Sequence, residues 1–214
     1  MNGRPDPATD LVRDVVDGYL AEDDALVGAR ERAARLGVTP IGAAGGATLC
    51  FLAATIGARA VVEVGTGTGV SGLWLLRGMA ADGMLTSIDV DPESQRAARA
   101  AFLAAGYGPS RLRLINGMGL EVLSRLTDGA YDMVFVDSLP VEYPHHLDEA
   151  VRLLRPGGLV VLDDVLRAVH LDDGTAVDPA TLAVRDLARQ VRDDERLVPV
   201  LLPVSGGLLC ALRK

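Results

Sequence analysis

The stretch GGLVVLDDVL, residues 157–166, ends an apolar run in two adjacent carboxylates, Asp163 and Asp164. Two carboxylates ~5 Å apart repel by about 3 kcal/mol at an effective dielectric of ~20. Water, a base, a proton or a metal must offset that repulsion. Oxygen ligands alone suit Mg²⁺, Ca²⁺ or Mn²⁺. Adjacent strand residues point to opposite faces, so a plainer reading stands beside the metal: Asp164 faces solvent or caps the next turn.

A glycine-rich turn supplies a second chemistry. The stretch VVEVGTGTGVSG, 61–72, sets Gly65, Gly67 and Gly69 after a β-branched run and before a helical one. Glycine suits a sharp turn that a ligand approaches closely. The helix that follows offers free N–H groups to an anion or carboxylate. Asp89, in SIDVDP, falls twenty residues after Gly69, where an acid grips ribose hydroxyls. Glu63 adds a further acid. Gly67, Gly69 and Gly72 also satisfy G-x-G-x-x-G, so a dinucleotide such as NAD(P) remains an alternative ligand. Against it stands a chain with one sheet and no separate catalytic domain.

These residues need elements to hold them. The reading has a helical region over 9–36, an apolar helix over 45–57, and strands over 60–65, 84–90, 111–116, 131–137 and 158–164. Helices fall between them over 70–80, 92–106, 119–126 and 144–154, with Pro92 in a first turn. A last helix over 178–194 opens on Asp178 as cap, and strands over 197–203 and 207–214 close the chain. Strands separated by helices mean a parallel sheet. The last two strands have no helix between them and are expected to pair antiparallel. The domain reading is a single domain over 1–214, with 1–57 a helical extension and 58–214 the core.

Composition excludes several classes. At 214 residues and 49% hydrophobic, the chain can bury one sizeable core. A net charge of −8 and an aromatic share of 4% argue against nucleic acid as partner. No run approaches the ~20 apolar residues that cross a bilayer, and MNGRPDPATD lacks a signal-peptide layout. Cytoplasmic placement is expected. Cys50 and Cys210 sit in apolar surroundings and read as buried, reduced thiols. Trp74 reads as core, RDDER from Arg192 as a solvated helix end, and His145 and His146 as a solvated helix start. His170, in the polar loop RAVHLDDGT, has a better claim to a role as base.

The motifs VEVGTGTGVSGLWL, TSIDVDP, YDMVFVDS, LLRPGG and VLDDVL, with the small-residue helix near Gly46, together resemble the class I, cation-dependent O-methyltransferases. That family includes the catechol and caffeoyl-CoA enzymes. The resemblance runs from about Ala25 to Lys214 and is nearest to actinobacterial members of unassigned substrate. It implies a Rossmann-like fold: seven strands, mostly parallel, the last antiparallel, helices on both faces. It also implies S-adenosylmethionine as cofactor and a small, aromatic hydroxyl as acceptor. By matching position, it implies that Glu63, Gly65, Thr66, Gly67 and Gly69 form the cofactor turn. Ser71 would hold the methionine carboxylate and Asp89 the ribose. Met118 and Gly119 would lie beside the adenine, and Val38 and Thr39 would close over the methionine end. Asp137 would serve cofactor, metal and catalysis, binding a divalent cation, Mg²⁺ by expectation, with Asp163 and Asp164. A homodimer through the N-terminal helices, whose LVRDVVDGYL has a periodic apolar face, is implied as well. Tyr143 matches a structural tyrosine.

The chain departs from the family at several positions. Pro140 stands where the family has a lysine base, and Asp164 where it has asparagine. Val70 replaces a tyrosine, Arg167 an aromatic residue, and Ser205–Gly207 a GDG. Losing a general base typically costs 10²–10⁴ in rate. Beside the methyltransferase reading stand an NAD(P)-linked oxidoreductase, a non-catalytic S-adenosylmethionine-binding protein, and a tRNA-modifying methyltransferase of the same fold.

Overall fold

The computed structural model describes residues 14–166 and 179–214. After a helical stretch at residues 14–17 come α1 (Asp24–Leu36) and α2 (Ala43–Thr55). Then strand and helix alternate: β1 (Ala60–Val64), α3 (Val70–Gly78), β2 (Met84–Asp89), α4 (Pro92–Ala104), β3 (Leu112–Asn116), α5 (Gly119–Leu123) and β4 (Tyr131–Val136). A 3₁₀ turn over Pro140–Glu142 leads into α6 (Tyr143–Leu153) and β5 (Leu154–Leu162). The chain closes with α7 (Pro179–Asp193), β6 (Leu197–Leu202) and β7 (Leu208–Arg213).

The seven strands form one sheet in the order β3-β2-β1-β4-β5-β7-β6. Strands β1 to β5 pair in parallel, and β7 pairs antiparallel with both β5 and β6. This is the expected Rossmann-like order, with the reversed strand at the end of the chain. Strand periodicity sorts the core into two layers. Val61, Met133, Phe135, Leu159 and Val161 pack with Leu26, Leu49, Leu73, Trp74 and Phe102. Val62, Val134, Val136, Val160 and Leu162 pack with Leu123, Leu147, Val184 and Leu187 on the other face. Glu63 and Ser87 belong to the first face by the same alternation, and both are fully buried. No helix of the described residues is long and apolar enough to cross a membrane.

Several expectations need correction. The helical run expected over 9–36 breaks: residues 14–17 are helical, a turn follows at Gly18, and α1 starts only after Asp23. The cause is a cap: Asp23 accepts hydrogen bonds from the amides of Ala25 and Leu26. Strand β5 begins at Leu154 rather than 158, with a register shift against β4 between Tyr131 and Met133. His146 is fully buried, whereas His145 is exposed as expected. Its place on the inward stripe of α6, beside Tyr143, Leu147 and Ala150, explains this. Cys210 is buried, but Cys50 only partly so. Trp74 is core, stacked under the Arg77 guanidinium at 5.1 Å and so close to Gly46 that a side chain there would collide with the indole. Asp178, Arg167, His170 and residues 9–13 lie outside the described residues.

Candidate active site

The C-terminal ends of β1, β2 and β4 meet at one place, and the turn after β1 is built to leave it open. Gly65, Gly67 and Gly69 have φ of 94°, 48° and 91°. Left-handed backbone is strained for other residues. Crowding adds its own demand. A Cβ on Gly65 would run into the Asp137 carbonyl, and one on Gly69 would lie 3.1 Å from Ala98 Cβ. Gly69 therefore serves the packing of the turn on α4. Gly67 has only Val38 nearby, at 3.5 Å.

The turn and its neighbours enclose a cleft of about 350 Å³, within the ~300–1,000 Å³ usual for small-molecule sites. Val38, Thr39, Gly65, Thr66, Gly67, Ser71, Asp89 and Asp137 line it, all of them expected site residues. Val38 and Thr39 arrive there because Gly37, at φ 69°, ends α1 and turns the chain back. Asp89 ties the site together: its Oδ2 accepts from the Gly67 amide at 2.8 Å and its Oδ1 from the Asp91 amide at 2.9 Å. Each oxygen keeps a further lone pair for a ligand.

Other expected residues do not line the cleft. Glu63 lies behind it, accepting from Ser71 Oγ at 2.6 Å and Ser87 Oγ at 2.5 Å. Burial pushes its pKa up to about 7, against the pull of those two bonds. Met118 is about half exposed before α5. Gly119 faces Val64 and His146, and a Cβ there would come within 2.9 Å of His146 Nε2. Sequence reasoning missed Pro40, Ile41, Thr68, Asp91 and Ser94, which also line the cleft. The Asp91-Pro92 pair was a readable signal. Asp91 caps α4 by accepting from the amides of Glu93 and Ser94, which fixes that corner.

The three aspartates sit at the next strand ends. Asp137 follows β4 and its amide donates to the Val64 carbonyl; Asp163 follows β5 and its amide donates to the Val136 carbonyl. Burial first, and neighbouring carboxylates second, raise the pKa of both. Tyr143 donates to the Asp163 carbonyl at 2.9 Å, the structural part expected of it. The opposite-faces argument for Asp164 does not apply, because Asp163 and Asp164 lie beyond the strand and Asp164 is left-handed, φ 58°. Its amide donates to Asp163 Oδ1 at 2.7 Å, and its carboxylate turns toward Gly206. Among the described residues, no three His, Cys, Asp or Glu side chains are gathered as a metal-binding set. The donor chemistry fits a hard cation; the present side-chain positions do not assemble one site.

Comparison with known proteins places this geometry. The family model described as O-methyltransferase matches residues 22–214. "Probable O-methyltransferase Rv1220c" of Mycobacterium tuberculosis strain H37Rv is 49% identical over 214 residues, covering 100% of this chain and 96% of that protein. The crystal structure of a Corynebacterium glutamicum protein superposes with a TM-score of 0.89 at 35% identity, covering 96% of this chain and 97% of the other. The O-methyltransferase TomG of Streptomyces achromogenes, involved in tomaymycin synthesis and solved with S-adenosylmethionine, superposes with a TM-score of 0.84 at 25% identity, covering 97% and 96%.

Proposed function

Because the chain belongs to the O-methyltransferase family, we propose that it moves a methyl group from S-adenosylmethionine to a hydroxyl of a small, aromatic acceptor. The single observation that carries this reading is the three left-handed glycines of the 65–69 turn, latched to Asp89 through the Gly67 amide. That arrangement sets the Asp89 carboxylate and the first turn of α3, through Val70 and Ser71, on one open cleft. Ser71 and the first turn of α3 suit a carboxylate, and Asp89 suits vicinal hydroxyls. Val38 and Thr39 cover one side of the cleft. The cofactor, when bound, supplies a methyl group already activated by a sulfonium.

The acceptor carries the chemical difficulty. A phenol-like hydroxyl has a pKa near ~10, so almost none is ionised at neutral pH. Pro140 lies in a 3₁₀ turn and cannot accept a proton. Asp137, half-buried at the cleft, is the residue we assign to catalysis, as a carboxylate beside both ligands. Asp137, Asp163 and Asp164 would hold a divalent cation, Mg²⁺ by preference, with oxygen donors only. Such a cation would polarise the acceptor oxygen, worth several kcal/mol. Mutual repulsion among these carboxylates supports the reading, since a cation would relieve it.

A homodimer belongs to the same proposal, because Val15, Val16, Tyr19 and Leu20 leave apolar surface uncovered. So do cytoplasmic placement and the absence of nucleic acid as partner. Calorimetry with S-adenosylmethionine and with NAD tests the reading: saturable heat from the first and none from the second is expected. Tight NAD binding alone would favour an oxidoreductase. Cofactor binding without transfer to any of a panel of catechols and phenols would favour a non-catalytic binding protein.

A further inference from the structure

Four side chains behind the glycine turn form one hydrogen-bonded chain. Glu63 accepts from Ser71 and from Ser87, and Ser87 Oγ lies 2.7 Å from Thr66 Oγ1. Ser71 and Thr66 line the cleft; Glu63 and Ser87 do not. Each hydroxyl has one hydrogen to give. While Glu63 is ionised it can only accept, so Ser71 and Ser87 both spend their hydrogens on it. Thr66 must then give its own to Ser87. This hydrogen-bonded chain then has no hydroxyl hydrogen left for the cleft, and Ser71 and Thr66 both turn lone pairs toward it. A ligand carboxylate against Ser71 Oγ would meet an acceptor there, with only backbone N–H groups of the first turn of α3 to donate.

A proton on Glu63 changes the count by one. Placed on the Ser71 side, it donates to Ser71 Oγ and frees the Ser71 hydrogen for the cleft. Placed on the Ser87 side, it reverses the Ser87–Thr66 bond and frees the Thr66 hydrogen instead. We propose that Glu63 is a positioning residue that takes up a proton when a carboxylate-bearing ligand binds against Ser71 and Thr66 in this cleft, because only then can either of these two hydroxyls donate to that carboxylate. The proposal rests on reading the cleft as the S-adenosylmethionine site.

The surroundings agree. Burial raises the pKa of Glu63, and the charged groups acting on it, Asp137 beyond β4 and Asp89 at the end of β2, are both negative. The elements packed against it otherwise present hydroxyls, Ser71 from α3 and Ser87 from β2. Ligand affinity should therefore hold below about pH 7 and fall up to tenfold per pH unit above it. Glutamine carries one acceptor and two donors on its amide. Glu63→Gln thus mimics the protonated state, and should bind at pH 8.5 as tightly as the native protein does at pH 6.

The test is calorimetry with S-adenosylhomocysteine in two buffers of different ionisation enthalpy, from pH 5.5 to 8.5. The native protein should take up close to one more proton at pH 8.5 than Glu63→Gln; the ligand's own amine contributes equally to both. Should Glu63→Gln not fold, the double variant Ser71→Ala/Thr66→Val serves, since it removes both hydroxyls that the proton could free: it should weaken binding at pH 6 and flatten the slope above pH 7. Equal proton uptake in native and Glu63→Gln protein, or an unchanged slope in the double variant, would overturn the proposal alone. No saturable binding at any pH would remove the cofactor reading, and this proposal with it.

Discussion

At the scale of single residues, the cofactor and metal roles separate. On the proposed reading, Asp89→Ala would remove charge-assisted bonds to ribose, worth ~1.5–3 kcal/mol. It also unlatches the Gly67 amide. We expect S-adenosylhomocysteine affinity to fall at least tenfold, as read by calorimetry; an unchanged affinity would place the ribose elsewhere. Asp163 does not line the cleft. Asp163→Ala should therefore abolish methyl transfer while leaving S-adenosylhomocysteine affinity within a few fold. Full turnover by that variant, or in excess chelator, would show that Asp163 and Asp164 only end a strand. With Pro140 in place of a base, turnover on simple catechols should be slow and rise with pH as the acceptor ionises. Part of the cleft was legible: the turn of Gly65, Gly67 and Gly69 and the position of Asp89 follow from local turn chemistry, whereas Ser71 and Asp137 entered only through the family resemblance, and all but Gly69 line the cleft. The burial of His146 was not, since it depends on which stripe of α6 meets Gly119 and Val64, a long-range contact. The Asp164 conformation was equally hidden, because a left-handed φ at a residue other than glycine leaves little trace in the sequence.

At the scale of elements, the glycine turn is the joint between sheet and cleft. Gly65→Ala would force a Cβ into the Asp137 carbonyl at a φ of 94°. Strained positions of this kind cost about 1–3 kcal/mol before any clash. We expect a clear drop in denaturant midpoint together with loss of cofactor binding. Gly67→Ala meets only Val38 at 3.5 Å, so it should cost less stability while still weakening binding. Equal effects from the two would mean that the turn is not shaped by β4. The alternation of strand and helix was readable throughout, because each parallel strand is an apolar run followed by an amphipathic stretch. The start of β5 was not, since it rests on one long-range pair, Tyr131 with Leu154, ahead of a register shift before Met133 and Leu159. The break at Gly18 was missed for a similar reason: the helical composition of 9–36 is continuous, and the Asp23 cap decides.

At the scale of the whole molecule, buried acids set the response to pH. Glu63, Asp137 and Asp163 have pKa values raised by burial, so the folded state binds more protons than the unfolded one between about pH 4 and 7. Stability should fall as pH rises through that window, by up to about 3 kcal/mol for Glu63 alone. The melting temperature should be higher at pH 5.5 than at pH 8, and Mg²⁺ should restore part of the loss at pH 8 if the aspartates hold it. A flat profile would mean that water reaches these carboxyls. Light scattering well above micromolar concentration should give a dimer mass, and a monomer would refute pairing through the N-terminal face. The central claim is that the cleft between the 65–69 turn and Asp89 holds S-adenosylmethionine. The most direct measurement is a pair of calorimetric titrations at pH 6.5, one with S-adenosylhomocysteine and one with NAD. The account predicts saturable, micromolar-range binding of the first and no heat from the second. Saturable NAD binding with no response to S-adenosylhomocysteine would contradict it.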